Sequence, residues 1–187
     1  SAASEFGQGG AVVFRRDIEG FLDWEAIRAV TVTGRRELPP QPGIVYYAFV
    51  DMSGGSGDSA ALSITHREEE RVILDLVREI RAPHSPTAAT KEFAATVEPY
   101  GVTYVTGDHY AGAWPGERFF AHGISYETSE RPKSQLYVEM LPLVNAGRCE
   151  LLDLARLGAQ LVGLERRVSR GGKDSIDHQP GGHDDVA

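Results

Sequence analysis

The sequence predicts an α/β fold, in which a mixed β-sheet contains a three-stranded antiparallel meander and carries helices on both faces. Apolar runs separated by short glycine-rich or polar turns fill residues 44–80, as in consecutive antiparallel strands. Helical periodicity then alternates with short β-rich runs, which is typical of a sheet covered by helices. The 187 residues suffice for one domain with a sizeable core.

The meander is predicted from three runs that follow one another. The first covers residues 44–50 and is followed by Asp51 and a glycine-rich turn, and the second covers residues 60–65. The third, "RVILDLVREI", also fits one face of a helix. We interpret it as a strand, because the short polar "REEE" before it suits a tight turn.

The later elements follow from capping residues and periodicity. Ser85 and Pro86 predict a helix start, since serine caps helices and proline favours their first turn. A β-rich run then ends at Asp108. The remaining stretches are predicted as a helix over 115–122, a strand in "GISYE", helices in "KSQLYVEMLPLVNAG" and "LLDLARLGAQLVGLERR", a basic turn, and the start of a last helix at "GGHDD".

Residues 1–43 are predicted as a lead-in to the folded domain, which covers residues 44–187. The lead-in contains a glycine-rich stretch, one short helical pattern in "IEGFLDWEAIRAV" and a proline-rich break. The last helix of the domain is expected to be truncated at the final residue.

Composition and charge restrict the class of protein. A hydrophobic content of 41% and a charged content of 25% are ordinary for a folded soluble domain. The single cysteine excludes an internal disulfide and suits a reducing compartment. No apolar run approaches the roughly 18 residues that span a bilayer, and no secretory signal pattern is present, so neither membrane insertion nor secretion is expected. Because the net charge is −8, any nucleic-acid contact requires a local basic patch.

Three acidic positions suggest a metal site. Asp51 follows one apolar strand, Asp108 follows another, and Asp184 and Asp185 open the predicted last helix. If the two strands are neighbours, their aspartates emerge at the same edge of the sheet. Carboxylates gathered in this way need a cation, and hard divalent ions prefer oxygen ligands. Each aspartate taken alone also fits a turn or a helix cap.

Four stretches, taken in order and spacing, resemble the C-terminal nuclease domain of the large terminase subunit of tailed bacteriophages. They are "YYAFVDMSGGSGDSAALSI", "VTGDHYAG", "ISYETSERPKSQLY" and "SIDHQPGGHDDVA", and the resemblance runs from about residue 44 to the end. It implies an RNase H-like (RuvC-type) fold, whose first three strands form a meander. It also implies a metal-dependent endonuclease of low sequence specificity that cuts concatemeric viral DNA during genome packaging.

The resemblance further implies a site with two Mg²⁺ or Mn²⁺ ions held by three acidic positions. The first falls on Asp51 and the second on Asp108. The third falls on the adjacent pair, where we prefer Asp185 and keep Asp184 as a further ligand or as a supporting residue. Two such ions, roughly 4 Å apart, promote phosphodiester hydrolysis without a covalent intermediate.

The partners implied by the resemblance are double-stranded DNA, an N-terminal ATPase motor, the small terminase subunit and the portal, all in the cytoplasm of the host cell. The sequence contains no G-x-x-x-x-G-K-[ST] motif, so the motor is expected outside this chain, and the isolated domain is expected to be monomeric. Basic side chains near the last motif and at the start of a helix are candidate contacts to DNA phosphates. They are Arg166, Arg167, Arg170, Lys173 and Lys133.

Several alternatives remain at this point. The basic cluster also fits a solvated turn paired with Glu165 and Asp174, and Lys133 also fits a plain helix start. A Holliday-junction resolvase of the RuvC type uses the same acidic geometry. The "DMSGGSGDS" loop also resembles the phosphate loop of actin-like and sugar-kinase-like nucleotide-binding proteins. A catalytically silent docking module for the packaging motor is a further possibility.

Overall fold

The computed structural model describes residues 18–108, 114–168, 174–179, 182 and 184–187. These residues form ten strands, five α-helices and one short 3-10 helix, Glu98–Tyr100. In chain order the elements are β1 Ile18–Gly20, α1 Trp24–Val30, β2 Thr31–Val32, β3 Tyr46–Asp51, β4 Ala60–Glu68, β5 Arg71–Ile80, α2 Pro86–Val97, β6 Tyr104–Gly107, α3 Trp114–Phe120, β7 Ser125–Thr128, α4 Lys133–Asn145, β8 Cys149–Leu152, α5 Ala155–Val162, β9 Leu164–Val168 and β10 Asp174–His178.

The main sheet has seven strands in the order β2-β8-β5-β4-β3-β6-β7. Strands β3, β4 and β5 form the predicted antiparallel meander. Strands β6 and β7 continue it in parallel on one side, and β8 and β2 do so on the other. The predicted mixed sheet is therefore confirmed, including the interpretation of "RVILDLVREI" as a strand.

Helices cover both faces of this sheet, as predicted. Helices α2 and α3 bury Phe93, Val97 and Phe119 against one face. Helices α1, α4 and α5 bury Ile27, Leu157 and other apolar side chains against the opposite face. Ser85 caps α2 by accepting a hydrogen bond from the backbone of Ala88, at 3.3 Å, as its sequence position predicts. None of the described helices is long and apolar enough to cross a membrane.

The prediction of one long helix over "LLDLARLGAQLVGLERR" is wrong. The chain forms β8, the eight-residue helix α5 and β9 instead. Residues of β8 pair with both β5 and β2, so sheet pairing overrides helical periodicity at the start. Helix α5 ends before Gly163, and Leu164 is fully buried at the start of β9.

The predicted lead-in contributes ordered elements between residues 18 and 32. Strand β1 pairs with β9, and β9 pairs with β10, in a small three-stranded antiparallel sheet. Strand β2 forms one edge of the main sheet. Helix α1, which the sequence predicts, buries Ile27 and Val30 in the core shared with α4 and α5.

The last residues form a turn where the sequence predicts the start of a helix. The backbone N–H of Ala187 donates to the carbonyl of Asp184, at 3.1 Å. A single turn of this kind leaves Asp184 and Asp185 on a short segment that side chains must hold in place.

A buried ion pair lies at the end of the meander remote from Asp51. The imidazole of His66 on β4 donates to the carboxylate of Asp75 on β5 at 2.8 Å, and both side chains are almost completely buried. Burial lowers the pKa of His66, but hydrogen bonds and charge from Asp75 and Glu68 outweigh it, so the net pKa is raised. Burial also raises the pKa of Asp75, in spite of its bond to His66.

We expect the stability of the protein to fall as the pH rises above neutrality because of His66. Its pKa is higher in the folded state than the ordinary 6.5, so its stabilising contribution is complete below about pH 6.5. The contribution is lost as the pH rises through the folded-state pKa. Thermal unfolding at about pH 6 and about pH 8.5 measures this effect. The variant His66→Gln should show a smaller difference between the two, and an equal difference in both proteins would contradict the assignment.

Candidate metal centre

Two of the predicted carboxylates lie side by side at one edge of the main sheet. Strands β3 and β6 are parallel neighbours, and Val50 pairs with Gly107 in their register. Asp51 and Asp108 each follow these paired residues by one position, so both emerge at the same edge. The condition on which the sequence argument depended, that the two strands are neighbours, is therefore met.

Helix α4 brings a positive charge to this edge. Lys133 is the first residue of α4, after Pro132, whose backbone is extended. Its ammonium lies 2.7 Å from a carboxylate oxygen of Asp51 and 3.6 Å from one of Asp184. A cation at a helix N-terminus is disfavoured by the helix dipole, so the carboxylates must stabilise Lys133 here.

Asp184 faces this group from the terminal turn. Tyr137, one helical turn after Lys133 on α4, donates its hydroxyl hydrogen bond to Asp184 at 3.0 Å. Asp51, Asp184, Asp185 and Lys133 line one cleft together with apolar residues of β3, β4 and β5. Asp185, which the sequence analysis preferred as the third acidic position, lies in this cleft and also contacts Arg156 on α5, at 3.3 Å.

The electrostatics of the cleft follow from its negative charge. Burial lowers the pKa of Lys133, but the charges of Asp51, Asp184 and Asp108 outweigh it and the net pKa is raised. Burial, followed by the charge of Asp184, raises the pKa of Tyr137 well above its usual range. All three aspartates therefore act on one ammonium, and the cleft favours positive charge.

Tyr126 on β7 adds a further oxygen near the carboxylates. Its hydroxyl is buried and has no hydrogen-bond partner within the part of the chain that the structure describes. Burial, Asp108 and Asp51 together raise the pKa of Tyr126 to about 12, so the phenol stays protonated at neutral pH. Its ring packs over the backbone of Gly107, where a Cβ atom would overlap the phenol.

These groups fit a hard divalent cation by their chemistry. Asp51, Asp108 and Asp184 supply carboxylate oxygens, and such oxygens are the ligands that Mg²⁺ and similar ions prefer. The ammonium of Lys133 already draws two of them together, and the unpartnered phenol of Tyr126 is a buried polar group in need of a partner. Within the described ranges, no three His, Cys, Asp or Glu side chains converge closely enough to hold an ion by themselves.

The predicted basic cluster is only partly described. Arg166 and Arg167 lie on β9, which forms an antiparallel hairpin with β10. Arg166 is exposed, whereas Arg167 is partly buried and donates to the carbonyl of His178 at 3.2 Å. Glu165 lies 3.7 Å from Arg167. This contact is part of the alternative in which the basic side chains pair with Glu165 and Asp174. Arg170 and Lys173 lie outside the described residues.

Sequence reasoning missed four side chains of the site. Tyr137 had a usable signal, because it lies four positions after Lys133 in a predicted helix and therefore on the same face. The sequence predicts Tyr126 only as part of a short strand. Arg156 and Glu79, which contact each other at 2.8 Å, come from distant segments that only the fold joins.

Solved structures of large terminase nuclease domains have the same fold as this chain. The nuclease domain of the large terminase from thermophilic phage G20c matches with a TM-score of 0.73 and 18% identity, over 87% of this chain and 91% of that one. The nuclease domain of gp2 from bacterial virus Sf6 matches with a TM-score of 0.65 and 12% identity, over 85% and 88%. The large terminase of bacteriophage HK97 matches with a TM-score of 0.69 and 14% identity, over 90% of this chain and 41% of that one.

The predicted resemblance is thus confirmed at the level of the fold. The G20c domain is also known with bound magnesium, cobalt and zinc, and a K428A mutant of the Sf6 domain with calcium. No protein-family model and no curated protein matches the sequence.

Gly107→Ala should destabilise the protein, because the added Cβ would overlap the Tyr126 phenol on the adjacent strand. We expect a loss of about 1–3 kcal/mol in the free energy of unfolding, as for other overpacked sites. Chemical denaturation measures it. Gly116→Ala is the matched control, since its Cβ would meet Tyr126 only at 3.7 Å and alanine favours the helix. Equal stability of the two variants would contradict the close approach.

Proposed function

We propose that this chain is the nuclease domain of a phage large terminase subunit and that it cuts double-stranded DNA by metal-dependent phosphodiester hydrolysis. One observation carries the proposal. Asp51 and Asp108 lie at the same end of neighbouring parallel strands, and the ammonium of Lys133 lies between Asp51 and Asp184. The fold shared with terminase nuclease domains supports the same conclusion.

Each side chain has a distinct role in the proposed reaction. Asp51, Asp108 and Asp184 would hold two ions, Mg²⁺ or Mn²⁺. Asp185 lies beside Asp184 on the same turn and would support the site from there. Such ions activate water and stabilise the leaving oxygen of a phosphodiester. Lys133 neutralises the carboxylates and offers its ammonium to a DNA phosphate. The protonated phenol of Tyr126 can donate a hydrogen bond in the cleft, and Tyr137 orients Asp184.

The site explains why sequence specificity is expected to be low. The groups in the cleft are carboxylates, an ammonium and phenols, which engage ions and phosphates and do not read base edges. We further propose that residues 44–187 form the nuclease domain and that the lead-in, residues 1–43, connects it to an ATPase motor. The match to part of the longer HK97 chain supports this arrangement. The portal, the small terminase subunit and the host cytoplasm belong to the same proposal.

Asp51→Asn and Asp184→Asn should abolish metal-dependent cleavage of supercoiled plasmid DNA. Each substitution removes one negative charge and one metal-binding oxygen, while it keeps the size of the side chain. Plasmid nicking and linearisation are measured by gel electrophoresis with Mn²⁺, with Mg²⁺ and with EDTA. We expect losses of at least about 100-fold, as for changes that remove a group acting in the transition state.

Glu92→Gln is the matched control for this assay. It makes the same change of charge at an exposed position of α2, which covers the opposite face of the sheet. Cleavage that persists in Asp51→Asn would overturn the proposal. Saturable ATP binding without cleavage would favour the nucleotide-binding alternative, and selective cutting of four-way junctions would favour the resolvase.

Arg166→Gln should weaken DNA binding by the chain in a salt-dependent way. Arg166 is exposed on the hairpin that follows α5, and phosphate contacts release counterions from DNA. We expect the slope of log affinity against log salt to fall by about one unit. Fluorescence anisotropy with a labelled duplex, in EDTA, measures this slope. Arg67→Gln, at the end of β4 remote from Asp51, should leave it unchanged, and equal slopes in both variants would remove Arg166 from the DNA interface.

A further inference from the structure

We propose that the adjacent aspartates divide two tasks, with Asp184 facing the metal and Asp185 anchoring the terminal turn to α5 through Arg156. The inference rests on the proposed function of the site and assigns Asp185, Arg156 and Gln160 as positioning residues. Burial does not separate the two aspartates, because their side chains are 15% and 12% exposed. Their partners do separate them.

Among the described residues, the side chains that contact Asp184 are Lys133, which lines the cleft, and Tyr137. Its two oxygens contact the Lys133 ammonium, which also binds Asp51, and the Tyr137 hydroxyl. Both partners come from α4. Asp184 and Asp51 thus share one cation, the Lys133 ammonium, in the way that two carboxylates share a metal ion.

Asp185 also makes a contact that runs toward α5 and the sheet. Its carboxylate lies 3.3 Å from the Arg156 guanidinium, which lies 2.8 Å from Glu79 at the end of β5. Ser59 donates to the same Glu79 oxygen at 2.8 Å. Arg156 is therefore placed between two carboxylates, and one of them is itself held by a strand. This chain of contacts ties Asp185 to the sheet.

A second tether from α5 holds the same turn. Gln160 lies four residues after Arg156 and therefore on the same face of the helix. Its side-chain oxygen accepts a hydrogen bond from the backbone N–H of Val186 at 2.8 Å, and Gln160 is buried. Arg156 and Gln160 thus bind two consecutive residues of the turn, Asp185 and Val186. The position of Asp184, one residue earlier, depends on both contacts.

A double-mutant cycle tests the division of tasks. The variants are Asp185→Asn, Arg156→Gln and their combination, with Asp184→Asn for comparison and Arg156→Lys as the conservative variant. Isothermal titration calorimetry gives the Mn²⁺ dissociation constant. Hydrogen exchange of the terminal peptide, without metal, reports whether the turn is held.

If Asp185 acts through Arg156, each single variant should weaken Mn²⁺ binding about tenfold, as loss of a supporting contact does. The combination should weaken it no further, because one interaction has been removed twice. Exchange at the Val186 amide should rise in the same variants, and Arg156→Lys should restore most of the protection. Asp184→Asn should lose Mn²⁺ binding to a much greater extent while the turn stays protected.

Three results would overturn the inference. They are additive losses in the double variant, a loss of Mn²⁺ binding in Asp185→Asn as large as that in Asp184→Asn, or unchanged exchange in Arg156→Gln. Failure of the proposed function looks different. A protein that binds Mn²⁺ with these dependences but cuts no DNA would refute the nuclease and leave the division of tasks intact. A wild-type protein that binds no Mn²⁺ would refute both.

Discussion

The parallel pairing of β3 with β6 is the constraint on which the site depends. Because Val50 and Gly107 are in register, Asp51 and Asp108 come to one sheet edge, and their like charges must be compensated. The structure supplies that compensation with Lys133, the first residue of α4. The sheet therefore determines where a positive charge is needed, and helix α4 is placed to deliver it.

The need for close packing at this edge explains the pairing of Gly107 with Tyr126. Gly107 on β6 has no Cβ, which lets the ring of Tyr126 on β7 lie against the backbone of Gly107. The phenol consequently becomes buried close to the carboxylates, and its pKa rises to about 12. A larger residue at position 107 would overlap the Tyr126 ring, one position before Asp108. Strand packing and site geometry are thus coupled at a single glycine.

The sequence was most informative where the physics is local. Apolar runs predicted β3 and β4, Ser85 and Pro86 predicted α2, and each strand-end aspartate could be located by inspection. It was least informative where long-range pairing decides, as in "LLDLARLGAQLVGLERR", where β8 pairs with two other strands. The predicted set of site residues is incomplete for the same reason. Arg156, Glu79 and Asp185 are distant in sequence, and only the finished fold places α5 beside the terminal turn.

The pair of aspartates shows why residue type alone does not assign a role. The sequence places Asp184 and Asp185 in the same motif, with the same charge and the same side-chain length. Neighbouring residues on a turn point in different directions, however, so each meets a different helix: α4 in one case and α5 in the other. Under the proposed function, such an acidic motif would combine a metal ligand with the residue that supports it. Where a short turn has no helix to hold it, an ion pair to a packed helix provides the rigidity that ligand geometry requires.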